Sequence, residues 1–105
     1  MSRSQTITNR DWLHNPHAGE MLFSEFMEPL ELDGASLAVA IDVPVADLSA
    51  VLTGQRAMTG ELDLRLTRYF RMSEGFFLRL QIQYELLEAK RALNGELDRI
   101  VPRAA

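Results

Sequence analysis

Cysteine is missing from all 105 residues, which removes a disulfide scaffold, a thiolate metal site and thiol catalysis together. No run of apolar residues approaches the ~20 needed to span a bilayer. The N-terminal stretch "MSRSQTITNRDW" has no apolar segment behind its arginines, so it does not read as a signal peptide. The expectation is a soluble, cytoplasmic protein with no membrane partner. Enzymatic groundwork is missing as well: no activated nucleophile, no phosphate-cradling glycine loop and no recognisable carboxylate pair. Neither an enzyme nor a cofactor is expected. Positive charge is scarce in one half of the chain, because no lysine or arginine lies between Arg10 and Arg56. That interval holds Asp11, Glu20, Glu25, Glu28, Glu31, Asp33, Asp42 and Asp47, and the overall charge is −4. A general polyanion binder is therefore disfavoured, and any nucleic-acid face must draw on Arg56 and the basic residues after it.

What is present is helical punctuation. Nearly half the residues are apolar, enough for the single core that a chain of this length can build. No segment alternates with the period of a strand. Leu22, Phe26 and Leu30 recur at helical spacing, and Pro29 marks the end of that helix. Asp33 is a good N-cap for a helix that buries Leu37, Ala40 and Ile41. Pro44 opens a short helix with Leu48, Val51 and Leu52 inward, stopped by Gly54. Thr59 caps a helix carrying Glu61 and Asp63 in its first turn, where the helix dipole favours acids, with Leu62, Leu66, Tyr69 and Phe70 inward. Ser73 is the expected cap of the longest helix, which closes at Asn94-Gly95. The segment "ELDRIVP" is read as a final turn of helix. The expected fold is all-α with five helices and an extended C-terminal helix, divided into an arm (1–16), a domain (17–95) and a tail (96–105). Trp12 and Leu13 are the expected anchors of the arm.

Two short helices joined by "DVP", followed by "TGQRAMT" and another helix, have the helix-turn-helix layout, whose second helix lies in the major groove. "HAGEML…EFMEPLEL", "LAVAIDVP", "LTGQRAMTGELDLRLTRYF" and "SEGFFLRLQIQYEL" together resemble the HigA/VapI-type antitoxins of the lambda-repressor-like helix-turn-helix group, from His17 to about Ala89. The resemblance implies a dimer that represses its own operon and neutralises a RelE-like ribonuclease toxin by binding it. This chain departs from the family pattern at several places. Ala18 stands for the signature proline, Gly34 for a backbone-contacting glutamine, and Val39 for a basic residue. Asp47 replaces a polar or basic residue early in the recognition helix, Gln55 replaces a basic residue after Gly54, and Arg56 keeps its type.

The candidate DNA contacts are Ser36, Val45, Ala46, Asp47, Ser49, Thr53, Gln55 and Arg56. Small apolar groups can meet a thymine methyl and serine can bond either kind of base edge, while Asp47 is repelled by phosphate unless it accepts from a cytosine amino group. Arg65, Arg68 and Arg71 recur every third residue, as either a phosphate-gripping ridge or a solvated face paired with Glu61 and nearby carboxylates. Phe77, Leu80, Tyr84 and Leu87 follow one stripe of the last helix, with Phe76 and Ile82 off it. Phe76, Phe77, Leu80, Tyr84 and Leu87 are the candidate homodimer interface, since operators are read by symmetric pairs. Asp11, His14, His17 and Glu20 also recur every third residue, but Pro16 prevents a regular helix through them, and no metal site is expected. His17 is read instead as a cap or packing residue of the first helix. Two functions stay open: a repressor with weakened or altered contacts to operator DNA, or an interaction module that keeps the fold, leaves DNA, and engages a basic partner such as a ribonuclease toxin.

Overall fold

The computed structural model describes residues 14–104 as a bundle of five helices. The expected anchors Trp12 and Leu13, most of the arm, and Asp11 lie outside the described residues. Helix α1 (Ala18–Leu22) starts at His17, whose Nδ1 accepts the Glu20 N–H at 3.2 Å. It runs directly into a π-helical turn, Phe23–Met27. That turn changes which side chains point inward. Leu22 and Met27, five apart, are buried, while Leu30 is exposed, against the four-residue spacing expected from the sequence. The wider π turn adds a residue per revolution and rotates Leu30 to the surface.

Helix α2 (Gly34–Ile41) is capped by Asp33, whose carboxylate accepts the Ser36 N–H at 2.7 Å. It ends on Asp42 in the left-handed conformation, φ 60°, a backbone state that aspartate tolerates better than most residues. Leu37, Ala38 and Ile41 are buried; Ala40, expected inward, is exposed. Helix α3 (Val45–Leu52) follows Pro44, with a 120° bend between it and α2. Leu48 and Val51 fix its inner face. Helix α4 (Gly60–Phe70) is capped by the Thr59 hydroxyl, which accepts the Leu62 N–H. Tyr69 on α4 is exposed and not inward as expected, because the ridge facing the core is Leu66 and Thr67 together with Asp63.

Helix α5 (Phe76–Leu93) is the longest, and a 3₁₀ turn, Glu96–Arg99, comes after it. Its start corrects the expectation of a serine cap. The N-cap is Gly75, at φ 91°, and the carboxylate that satisfies the first turn belongs to Asp63 of α4. Asp63 accepts the N–H groups of Gly75 (2.6 Å), Phe77 (2.8 Å) and Leu78 (3.0 Å) while only 2% exposed. A buried carboxylate holding three N–H donors at a helix start is a strong brace, since leaving those donors unmade would cost far more than forming them gains. Above the brace, Phe26 meets Phe70, Phe76 and Phe77 at ring distances of 5.3, 5.8 and 5.1 Å, joining the π turn to α4 and α5.

Candidate nucleic-acid interface

The candidate interface begins with how α3 is held. Its inner side packs on α1 so tightly that a Cβ on Gly19 would run into the Val51 carbonyl and come within 2.9 Å of the Leu52 Cα. A glycine within a short helix costs helical stability, and here it is needed for backbone to meet backbone. The same helix pair is keyed at Gly54, which at φ 82° ends α3 beneath the His17 ring. His17 thus caps α1, closes over the end of α3, and meets the Tyr84 ring edge-on at 5.9 Å. His14 pairs with Glu20 at 3.0 Å, and among the described residues no three His, Asp or Glu side chains converge on a metal position.

With its inner face fixed, α3 presents Val45, Ala46, Asp47 and Ser49 outward, all exposed. Ser36 on α2 and Thr53 and Gln55 after α3 are exposed as well. Not all of their polar groups are available. The Ser36 N–H is taken by Asp33, and the Thr53 hydroxyl donates to the Ser49 carbonyl at 2.9 Å. No side chain caps the start of α3.

The loop after α3 sets Arg56. Its backbone N–H donates to the Ala50 carbonyl at 3.0 Å, folding the loop back on the helix. Two residues on, Met58 is buried and its N–H donates to the Oε1 of Gln81, itself 7% exposed, on α5. Met58 and Gln81 anchor the loop, although neither was singled out from the sequence; a glutamine within an apolar helical face was the available signal. From that anchored backbone the Arg56 side chain lies alongside α3 and forms an ion pair with Asp47 at 3.3 Å. Both side chains stay open to solvent, 58% and 51% exposed.

The other arginines separate. Arg65 lines the same cleft of about 190 Å³ as Asp47 and Arg56, but its guanidinium is engaged. It donates to the carbonyls of Ile41 (3.0 Å) and Asp42 (3.2 Å) and to Glu61 through Nε and Nη2. Arg65 therefore ties the end of α2 to α4, across the turn of the motif. Arg68 and Arg71 line a separate recess with Leu64, Thr67, Met72 and Glu74. The three arginines do not form one ridge.

The stripe expected between two copies mostly faces this chain's own interior. Phe77 is fully buried, a correction that follows from its position under the Phe26 ring and next to the Asp63 brace. Phe76 and Leu80 pack against the core. Tyr84 meets His17, its carbonyl accepts from Asn15 at 3.0 Å, and Leu87 is half-buried. The large exposed apolar side chains of α5 are Ile82 and Leu86, and beyond it Leu97, Ile100 and Val101.

Two helices at a steep bend, the second packed on α1 and showing small side chains outward, define a helix-turn-helix protein of the lambda-repressor-like group. No protein-family model matches the chain. It is 34% identical over 74 residues to virulence-associated protein I of Dichelobacter nodosus, a match covering 70% of this chain and 68% of that protein. PA4674 of Pseudomonas aeruginosa, solved in complex with its 18 bp operator DNA, superposes with a TM-score of 0.82 at 31% identity, covering 89% of this chain and 99% of that one. The Pseudomonas aeruginosa antitoxin HigA, solved with the higBA promoter, superposes with a TM-score of 0.78 at 28% identity, covering 88% and 100%. The chain belongs to the HigA/VapI-type family of helix-turn-helix proteins.

Proposed function

We propose that this protein is an antitoxin-type transcriptional repressor that binds operator DNA through α3. One observation carries the reading: the outer face of α3 is open, small and rigidly mounted, with Arg56 folded alongside it. Val45 and Ala46 suit thymine methyl groups, Ser49 suits either kind of base edge, and the start of α3, free of any side-chain cap, suits a phosphate. Relatives solved with operator and promoter DNA share the fold across nearly the whole chain.

The binding is sparing in charge. Arg65 is occupied and Arg68 and Arg71 lie elsewhere, so few phosphates are neutralised by each copy. A gel-shift titration with the DNA upstream of the gene gives a shift at low salt. Its salt dependence is shallow, a log–log slope of about −2 to −4 for a symmetric pair. No shift at low salt refutes the reading. Pairing of two copies would use the exposed side chains Ile82 and Leu86 and not the inward stripe, and Ile82→Glu would then dissociate the pair in sedimentation. The acidic first half, with Glu25, Glu28 and Glu31 exposed, suits a basic RelE-like ribonuclease toxin. Titration with the product of a neighbouring toxin gene, where one exists, tests that partner.

A further inference from the structure

Resting on the DNA-binding reading, we propose that Asp47 and Arg56 act as one base-reading unit, with Asp47 as a specificity-determining residue and not a leftover charge. The unit takes a guanine and a neighbouring cytosine in the major groove. Arg56 bonds the guanine N7 and O6, and Asp47 holds the guanidinium in place and accepts from the cytosine amino group.

The geometry supplies each part. Asp47 is the third residue of α3, in the N-terminal turn that reaches base edges when such a helix enters the groove. Arg56 starts from the other end of α3, on a loop held by Ala50 and Gln81, and lies beside the helix to reach Asp47. Its contact is a single one, Nη1 to Oδ1 at 3.3 Å. Among the described residues neither side chain has a second partner, so one edge of the guanidinium and the other carboxylate oxygen remain available. An arginine offering two parallel N–H groups matches guanine, and a carboxylate accepting from N4 matches cytosine. Arg65 shows the contrasting case, a guanidinium with four of its five N–H groups engaged by two carbonyls and Glu61.

Stability does not account for the pair. Ion pairs this exposed contribute little to folding. Affinity does not account for it either, because a carboxylate near the duplex repels phosphate along the whole DNA. What it can add is discrimination: the repulsion acts on every sequence, and the compensating bond forms only on the right one.

The test compares wild type, Asp47→Ala and Arg56→Ala on two duplexes of equal length, the upstream operator and a mixed-sequence control, at two salt concentrations. Asp47→Ala is expected to bind the control severalfold more tightly while the operator-to-control ratio falls about tenfold or more. Single base-pair substitutions across the operator should locate that loss at one G·C-containing step, and Arg56→Ala should lose discrimination at the same step. Melting temperatures of both variants should stay at the wild-type value, since the pair is exposed. An Asp47→Ala protein that tightens on both duplexes equally, keeping the ratio, overturns the proposal and leaves DNA binding intact. A wild-type protein that shifts neither duplex overturns both.

Discussion

Asp47 and Asp63 each stand in the first turn of consecutive helices, and their surroundings make them opposites. Asp63 is enclosed between α4 and α5 and accepts from three backbone N–H groups. Asp47 stands in solvent on α3 and touches one exposed guanidinium. The first region is stapled by a charge that has no freedom, and the second keeps a charge whose bonding is incomplete. Charge buried with all its partners serves the fold, and charge left partly unpartnered on a rigid mount is free to serve a ligand.

Breaking the brace has the largest expected effect. Asp63→Ala leaves three N–H donors at the start of α5 without an acceptor, and should lower unfolding free energy by about 3–5 kcal/mol in urea titrations. Asp63→Asn, which keeps one acceptor oxygen, should fall between that variant and wild type. If Asp63→Ala melts like wild type, the contrast between the two aspartates collapses. Disturbing the mount comes next. Gly19→Ala forces a methyl group against the Val51 carbonyl and should cost about 1–3 kcal/mol, with amide shifts in α3 seen by NMR.

Arg56→Ala should change stability by less than about 0.5 kcal/mol. Operator affinity should fall by about 1–3 kcal/mol in the gel-shift titration, which sharpens the division between a region for folding and a region for binding. The smallest effect belongs to a third aspartate. Asp33 is exposed, yet the Ser36 N–H and hydroxyl hold its carboxyl below the ordinary value of 3.8. Its folded form is thus favoured when ionised. The contribution is complete above 3.8 and lost as pH falls from there through the lowered folded value. Melting curves of wild type and Asp33→Ala should therefore converge only in that acidic range.

Much of the fold was legible because helix ends are local events. Asp33 and Thr59 cap the residues three positions on, and Gly54 stops α3 by its own backbone freedom, so a few neighbouring residues decide each boundary. Periodicity points Leu30, Tyr69 and Ala40 inward, and all three are exposed. Periodicity assumes a regular α turn and a single core direction; the π turn at Phe23–Met27 breaks the first, and Asp63 takes a core-facing place that spacing alone assigns to an apolar residue. Local spacing points to Ser73 as the cap of α5, but the acceptor of the Gly75 N–H is Asp63, 12 residues earlier in the chain and beyond any local motif. In the candidate interface, the outward residues of α3 could be read because they are those the inner set leaves over. The fate of the arginines could not. Equal spacing of Arg65, Arg68 and Arg71 says nothing of which one finds the end of α2 within reach.

The sequence by itself determined the helices, their order and the helix-turn-helix layout, because caps, glycine stops and apolar spacing act over three or four residues. The tertiary structure alone decided which charges are spent and which remain for a ligand. Asp63 and Phe77 were committed to the interior and Arg65 to the end of α2 by contacts from distant segments, while Asp47 and Arg56, brought together by the loop anchored on Gln81, were left facing water. A charge's role depends on how many donors or acceptors surround it in space, and that number is set only when the helices pack.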